Sequence, residues 1–446
     1  MKSSSLKKTA IEGVKYTGGL PWRRAAAEMS SFTESTFWDY QRVAFRRRYV
    51  DALNHVPYYQ TSGLYPQSLP WEGGVIEAVR HLPLLSKETV KQNTNEFVRA
   101  PQNPLSATHS TGGTTGTPLI VRAGLFERGW TNAILEQRNV VVAGVRNPRT
   151  VRLSGFLAAP TGAVSETLPG TNIAYLSIYS LSEMHREQVT RFLQDFRPRL
   201  FHGYASALTQ LARLMGPKPV DLGAVAAIST SETLSPSDRD QIEDSLGIRV
   251  YNEYGSQEGQ HLILECAQRC MHIHPARGIV EILNLHNDEP ATVGTLGRVV
   301  VTGLLAREFP LFRYDIGDTA VSTGYASDCP CGLGWPTVGT VHGRTEDLVR
   351  TKDGRRIGLL AHSTLKDVSG VAESQIVQRG YDQFVYRIRC EPGADIPNIE
   401  RHVREQLERR LAYSAHVTFE YLDQPVERTK GGKLKAVVVD FSVEEP

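Results

Sequence analysis
Residues 106–121, SATHSTGGTTGTPLIV, crowd serine, threonine and glycine into a short stretch ahead of the β-like run PLIV. Backbone amides and hydroxyls in such a loop can cradle a polyphosphate, although the same composition also suits a flexible linker. The Walker-type phosphate loop fits poorly. It needs a Lys after its last Gly and a helix behind it, whereas here Thr117 and Pro118 follow and a strand comes next.

Four of the five cysteines fall in two tight pairs, Cys266 with Cys270 and Cys329 with Cys331, and His272 and His274 stand beside the first pair in ECAQRCMHIHP. The turn in CPCG can aim two thiolates at one ion, and zinc is the natural partner of a Cys/His set. Four protein ligands leave no open position for water, so the site is expected to be structural. Cys390 stands apart and reads as a buried free thiol.

Residues 198–258 supply the elements that must position such groups. RLFHGY, AVAAIST and IRVYNEYG are strand-like, while ASALTQLARLMG and SPSDRDQIEDSLG are helical, which makes a βαβαβ pattern. In the second helix Ser235 suits the N-cap, Pro236 the first helical position and Gly247 the stop, with Ile242 and Leu246 on one face. Parallel strands end on one sheet edge, so HGYAS, STSET and NEYGSQE should gather along one crevice, where open α/β sheets bind ligands. His202, Tyr204 and Phe156 are candidates for lining a substrate pocket there.

Upstream, residues 36–55 read as an amphipathic helix with Trp38, Phe45, Tyr49 and Leu53 inward, and Arg46, Arg47 and Arg48 on a solvated face rather than a phosphate patch. Beyond residue 343, LVRTKDGRRIGL looks like a hairpin turning at Asp353 and Gly354, and IPNIERHVREQLERRLA is a charged amphipathic helix. The expected organisation is a large α/β domain over 1–343 and a small α+β domain over 344–446.

Composition excludes several classes. The chain has 446 residues, 40% hydrophobic and 22% charged, which allows two or three packed domains and argues against extended disorder. Its 50 Lys and Arg against 48 Asp and Glu leave a formal charge of +2, with no field to draw it onto nucleic acid or an anionic membrane. The basic start MKSSSLKKTA precedes no apolar run, and no stretch approaches the roughly 20 apolar residues of a membrane helix. A cytoplasmic protein is the expectation.

With STGGTTGTP, YNEYGSQE, RYDIGD, GRTED and RTKGGKLK in this order, the chain resembles the adenylate-forming enzyme superfamily from about residue 50 to its end, most closely the phenylacetate-CoA ligase branch with its capsule-biosynthesis relatives. The resemblance implies an ATP- and Mg²⁺-dependent enzyme that activates a small, aromatic carboxylic acid as an acyl-adenylate, expels pyrophosphate and passes the acyl group to CoA. An amine, a carrier protein or direct AMP transfer to a hydroxyl is the alternative endpoint. A degenerate nucleotide-binding protein is the rival from another class, and a homodimer would suit the branch.

By the same resemblance, Ser110, Thr111, Gly112, Gly113, Thr114, Thr115 and Gly116 form the phosphate loop, and Glu258 holds Mg²⁺. Tyr254, with Gly255 behind it, stacks on adenine, and the backbone of Ser231, Glu232 and Thr233 lines the base. Asp318 accepts hydrogen bonds from the ribose hydroxyls, a task for an acceptor-only group with two oxygens. Arg344 lies near the ribose, and Glu346 takes the place of an acidic hinge residue. Lys433 bridges the substrate carboxylate and the α-phosphate, with Gly431 and Gly432 freeing its loop and Lys430 and Lys435 as lesser alternatives.

The metal pairs resemble those of several members of the branch. They favour Cys266, His272, Cys329 and Cys331 as zinc ligands, with Cys270 as the substitute. Two departures stand out: no Lys follows near Thr117, and Gln257 replaces the hydroxyl residue that usually meets the α-phosphate.

Overall fold
The computed structural model describes residues 20–110, 119–154, 164–217, 221–256, 258, 261–344, 348–353, 355–357, 360–365, 368–428 and 434–441. Helix α1 (Glu34–His55) starts where the Thr33 hydroxyl accepts from the Thr36 amide and stops before Pro57, whose ring holds Val56 extended. It buries Phe37, Phe45, Tyr49 and Leu53, while Trp38 packs edge-on against Tyr325 at 5.4 Å.

Arg46 and Arg47 are exposed, but Arg48 departs from the solvated-face expectation. Position 48 falls three residues after Phe45 and four before Ala52, on the core stripe. Its guanidinium is buried there, donating to the Leu304 carbonyl at 3.2 Å and pairing with Asp51 at 3.2 Å.

Strands β1 (Ala107–Ser110) and β2 (Ile120–Ala123) pair antiparallel on either side of the Thr/Gly-rich segment in sequence. Helix α2 (Leu125–Ala143) follows at once and ends on left-handed Gly144. Next come β3 (Thr150–Ser154), β4 (Ser165–Thr167), β5 (Ile173–Ser177) and α3 (Arg186–Phe196). The βαβαβ run is β6 (Leu200–Gly203), α4 (Ala205–Met215), β7 (Ala226–Thr230), α5 (Pro236–Leu246) and β8 (Arg249–Gly255). Both pairings in it are parallel, and the ends of α5 are as read: Ser235 accepts from the Asp238 amide, and Gly247 caps at φ 64°.

Strands β9 (Leu262–Glu265) and β10 (Met271–Ile273) turn back antiparallel on β8. Strands β11 (Gly278–Leu283), β12 (Leu296–Gly303) and β13 (Tyr314–Val321), β14 (Thr337–Val338) and β15 (Val341–Arg344) complete this part. Among the described residues one sheet has nine strands, ordered β14-β10-β9-β8-β7-β6-β3-β5-β4, and a second has the order β11-β12-β13-β15. The first buries Val151, Phe201, Ala227 and Val250 under the helices on one face, whereas the second shares the aromatic core of α1 around Phe45, Tyr49 and Phe312.

The C-terminal part carries its own core. Strands β16 (Val349–Arg350) and β17 (Arg356–Ile357) form the expected hairpin, though Gly354 at its turn lies outside the described residues. Strands β18 (Val371–Gly380) and β19 (Gln383–Cys390), helix α6 (Ile396–Leu411), and strands β20 (His416–Tyr421) and β21 (Val437–Val439) build a sheet ordered β20-β19-β18-β21. Ile399, Val403, Leu407 and Leu411, four residues apart, press one stripe of α6 onto it.

Candidate functional site
The parallel strands β6, β7 and β8 end on one edge, and their following residues line a cleft of about 1620 Å³ facing the C-terminal part. Ser206, Ser231, Glu232, Thr233, Tyr254, Gly255 and Glu258 all border it, so the three expected segments do gather there. Ser231 adopts the left-handed backbone conformation, φ 66°, as the chain leaves β7. Gly255 is required where it stands: a Cβ would come 2.8 Å from the His261 carbonyl oxygen.

Asp318 and Arg344 enter the cleft from the second sheet, directly opposite one another in the β13–β15 register. The Tyr254 hydroxyl donates to Asp318 Oδ2 at 2.8 Å, and Arg344 Nε lies 3.0 Å from Oδ1. Burial first, and the Asp318 carboxylate second, raise the Tyr254 phenol well above its ordinary value, so it stays a donor. Each carboxylate oxygen keeps acceptor capacity after these bonds, which is what a vicinal diol needs. Asp318 is therefore fixed in place on a strand, not loose in a turn.

Glu258 is a buried carboxylate on the same wall. An acceptor-only group lining this cleft fits a Mg²⁺ ligand by donor chemistry. Ser110 ends β1, while Thr111, Gly112, Gly113, Thr114, Thr115, Gly116, Gln257, Glu346, Lys433 and Phe156 lie outside the described residues. Leu434, the neighbour of Lys433, is described, and its amide donates to Glu232 Oε1 at 2.8 Å. The Glu232 side chain thus reaches the C-terminal part, a role the sequence reading missed because it joins residues 202 apart.

His202 does not line this cleft. It sits on β6 opposite Arg152 of β3, and burial, then Arg138, push its imidazole down to about 3, so it stays neutral. Beside it Arg138 pairs with Glu253, whose carboxyl is held low despite burial by that guanidinium. Tyr204 is the residue before α4, half-buried.

All five candidate metal donors converge. One ligand atom each from Cys266, Cys270, His272 and Cys329 lies within 4.8 Å of the others. Cys331 Sγ is 3.3 Å from His272 Nε2. The Cys266–Cys329 sulfur separation is 3.7 Å. A tetrahedron with Zn–S bonds of about 2.3 Å has edges of about 3.8 Å, so the donor set fits zinc. His272 Nδ1 lies 2.8 Å from the Trp335 carbonyl, which fixes the ring and turns Nε2 to the thiols. Burial opposes ionisation of Cys329, but hydrogen bonds from Cys270, Cys331 and His272 bring its thiol down to about 6. Five donors thus stand ready for four positions.

Residues 349–440 match the family model described as the CapK C-terminal domain. The chain is 23% identical over 373 residues to the Protein CapK of Staphylococcus aureus, covering 81% of this chain and 80% of that one. It is 25% identical over 434 residues to the phenylacetate-coenzyme A ligase of Thermus thermophilus, covering 90% and 92%. Among solved structures, 2-hydroxyisobutyryl-CoA ligase in the postadenylation state with R3-HIB-AMP superposes with a TM-score of 0.71 at 18% identity, over 94% of this chain and 92% of that one. The chain is thus a relative of the phenylacetate-CoA ligases and of Protein CapK, with the mixed α/β fold of the adenylate-forming CoA ligases.

Proposed function
We propose that this chain, a relative of the phenylacetate-CoA ligases with the fold of the adenylate-forming enzymes, is an ATP-dependent, AMP-forming acyl-CoA ligase. The observation that carries the reading is the Tyr254–Asp318–Arg344 chain of bonds in the cleft beside Glu258, facing the segment that bears Lys433. A carboxylate oxygen of the acid attacks the α-phosphorus of ATP, the bond from that phosphorus to the α,β-bridging oxygen breaks, and pyrophosphate leaves. The resulting acyl-adenylate is a mixed anhydride, from which the thiol of CoA displaces AMP at the acyl carbon.

In this scheme Asp318 accepts from the ribose hydroxyls while Tyr254 and Arg344 hold its rotamer, and Tyr254 offers its face to adenine. Bound Mg²⁺ offsets the phosphate charge, and Glu258 would hold it. Lys433 neutralises the two approaching anions, and the amides of 110–116 cradle the phosphates. Residues 1–343 act as the adenylation domain and 344–446 as a lid that turns near Glu346. The acid is small and aromatic. Zinc held by Cys266, Cys329, Cys331 and either His272 or Cys270 has no reacting role, and cytoplasmic residence and a homodimer belong to the same proposal.

Product analysis tests it. Incubated with ATP, Mg²⁺, CoA and a panel of aromatic and aliphatic acids, the protein should release AMP and pyrophosphate with an acyl-CoA for at least one acid. ADP and inorganic phosphate as products would overturn the reading.

A further inference from the structure
Residues 429–433, which include Lys433, lie outside the described residues, but the residues on either side of them, Arg428 and Leu434, are both tied to one spot on the large part. Arg428 and Leu434 face each other across an antiparallel bridge, which brings these two roots of the Lys433 segment together. The Arg428 guanidinium donates to Ser206 Oγ at 2.9 Å and to Glu373 Oε1 at 2.7 Å, and the other Glu373 oxygen accepts from the Val426 amide at 2.9 Å. On the other root, the Leu434 amide donates to Glu232 Oε1 at 2.8 Å, while Glu232 Oε2 accepts from the Ser206 amide at 2.9 Å.

Ser206 serves both roots: its hydroxyl takes Arg428, and its amide holds the carboxylate that takes Leu434. That amide is in the first turn of α4, where helix N–H groups have no partner within the helix and the positive dipole end favours a carboxylate. A carboxylate from β7's exit loop is therefore well placed to fill it with one oxygen and to present the other across the cleft.

We infer that Ser206 and Glu232 form a receptor that seats the roots of the Lys433 loop, which makes Glu232 a positioning residue for the half-reaction in which Lys433 acts. The catalytic part of this inference rests on the function proposed above; the receptor itself does not. Burial raises the Glu232 carboxyl while the Ser206 and Leu434 amides pull it back, which suits a group whose acceptor role depends on staying docked. Arg213 at the end of α4 independently donates to the Val371 carbonyl at 3.3 Å and to that of Ala372. Loss of the receptor therefore frees the loop roots without detaching the whole C-terminal part. In the scheme proposed above the C-terminal part turns as a lid, so the receptor must release when it turns, and Glu232 favours the docked arrangement seen here.

Hydrogen exchange by mass spectrometry on the full-length protein decides the matter. Glu232→Ala should speed exchange in peptides spanning Leu434 by about tenfold, the worth of one charge-assisted hydrogen bond, and leave α6 peptides unchanged. Arg428→Ala, acting from the other root, should do the same and guards against misfolding of the first variant. Unchanged protection at Leu434 in both variants overturns the inference.

With phenylacetate as probe, Glu232→Ala should also lower kcat for pyrophosphate exchange by about tenfold, with a smaller effect on CoA transfer from preformed acyl-adenylate. Equal loss in both half-reactions overturns the positioning role. Should the wild type show Glu232-dependent protection but no exchange activity, the receptor stands and the ligase reading falls.

Discussion
Asp318 shows how a single carboxylate is prepared for a ligand: a phenol on one oxygen and a guanidinium near the other fix its rotamer and leave lone pairs facing the cleft. Glu127 shows the opposite use of burial. Its carboxylate accepts from the Gly124 amide at 2.8 Å and the Glu308 amide at 2.9 Å, stitching the start of α2 to the chain before β13. Burial nevertheless pushes it up to about 7 from an ordinary 4.5, with the backbone amides resisting the rise. A raised folded-state value means that its stabilising contribution is complete below about 4.5 and is lost as pH climbs through about 7. The stability advantage of wild type over Glu127→Gln should shrink by about 3 kcal/mol between pH 4.5 and pH 8, read from paired denaturation curves. A pH-independent difference would contradict this. Glu127 drew no attention as sequence, because its burial comes from residues some 180 positions away.

At the scale of elements, the βαβαβ run was legible because its strands are short apolar runs and its second helix carries a Ser-Pro start and a Gly stop, all local signals. The cysteine pairs were legible from spacing. Their joining was not, since it depends on β10 pairing with β14 so that His272 meets the CPCG turn. That pairing carries a prediction at this scale. Removing zinc from the purified protein with a chelator should lower its melting temperature by on the order of 5–10 °C, through loss of the tie between the β9–β10 hairpin and residues 329–335. Elemental analysis finding no zinc, or chelation leaving the melting curve unmoved, would contradict the assignment. Arg48 marks the limit of composition as a guide. Three consecutive arginines look alike in sequence, yet helical phase turns one of them into the core.

Taken as a whole, the molecule sets two parts with separate cores on either side of a cleft, the larger giving Tyr254, Glu258, Asp318 and Arg344 and the smaller giving the roots of the Lys433 loop. No helix among the described residues is long and apolar enough to cross a membrane. Five short motifs in sequence order carried the family resemblance, but the bonds across the cleft join Ser206 to Arg428 and Glu232 to Leu434, pairs that no local pattern links. The departures at Thr117 and Gln257 make activity the decisive question. Carboxylate-dependent exchange of labelled pyrophosphate into ATP, measured without CoA, isolates the first half-reaction whatever the acyl acceptor. Exchange should require both Mg²⁺ and a responsive acid and should collapse in Lys433→Ala; exchange absent across a broad panel of acids, with ATP still bound, would contradict the ligase assignment.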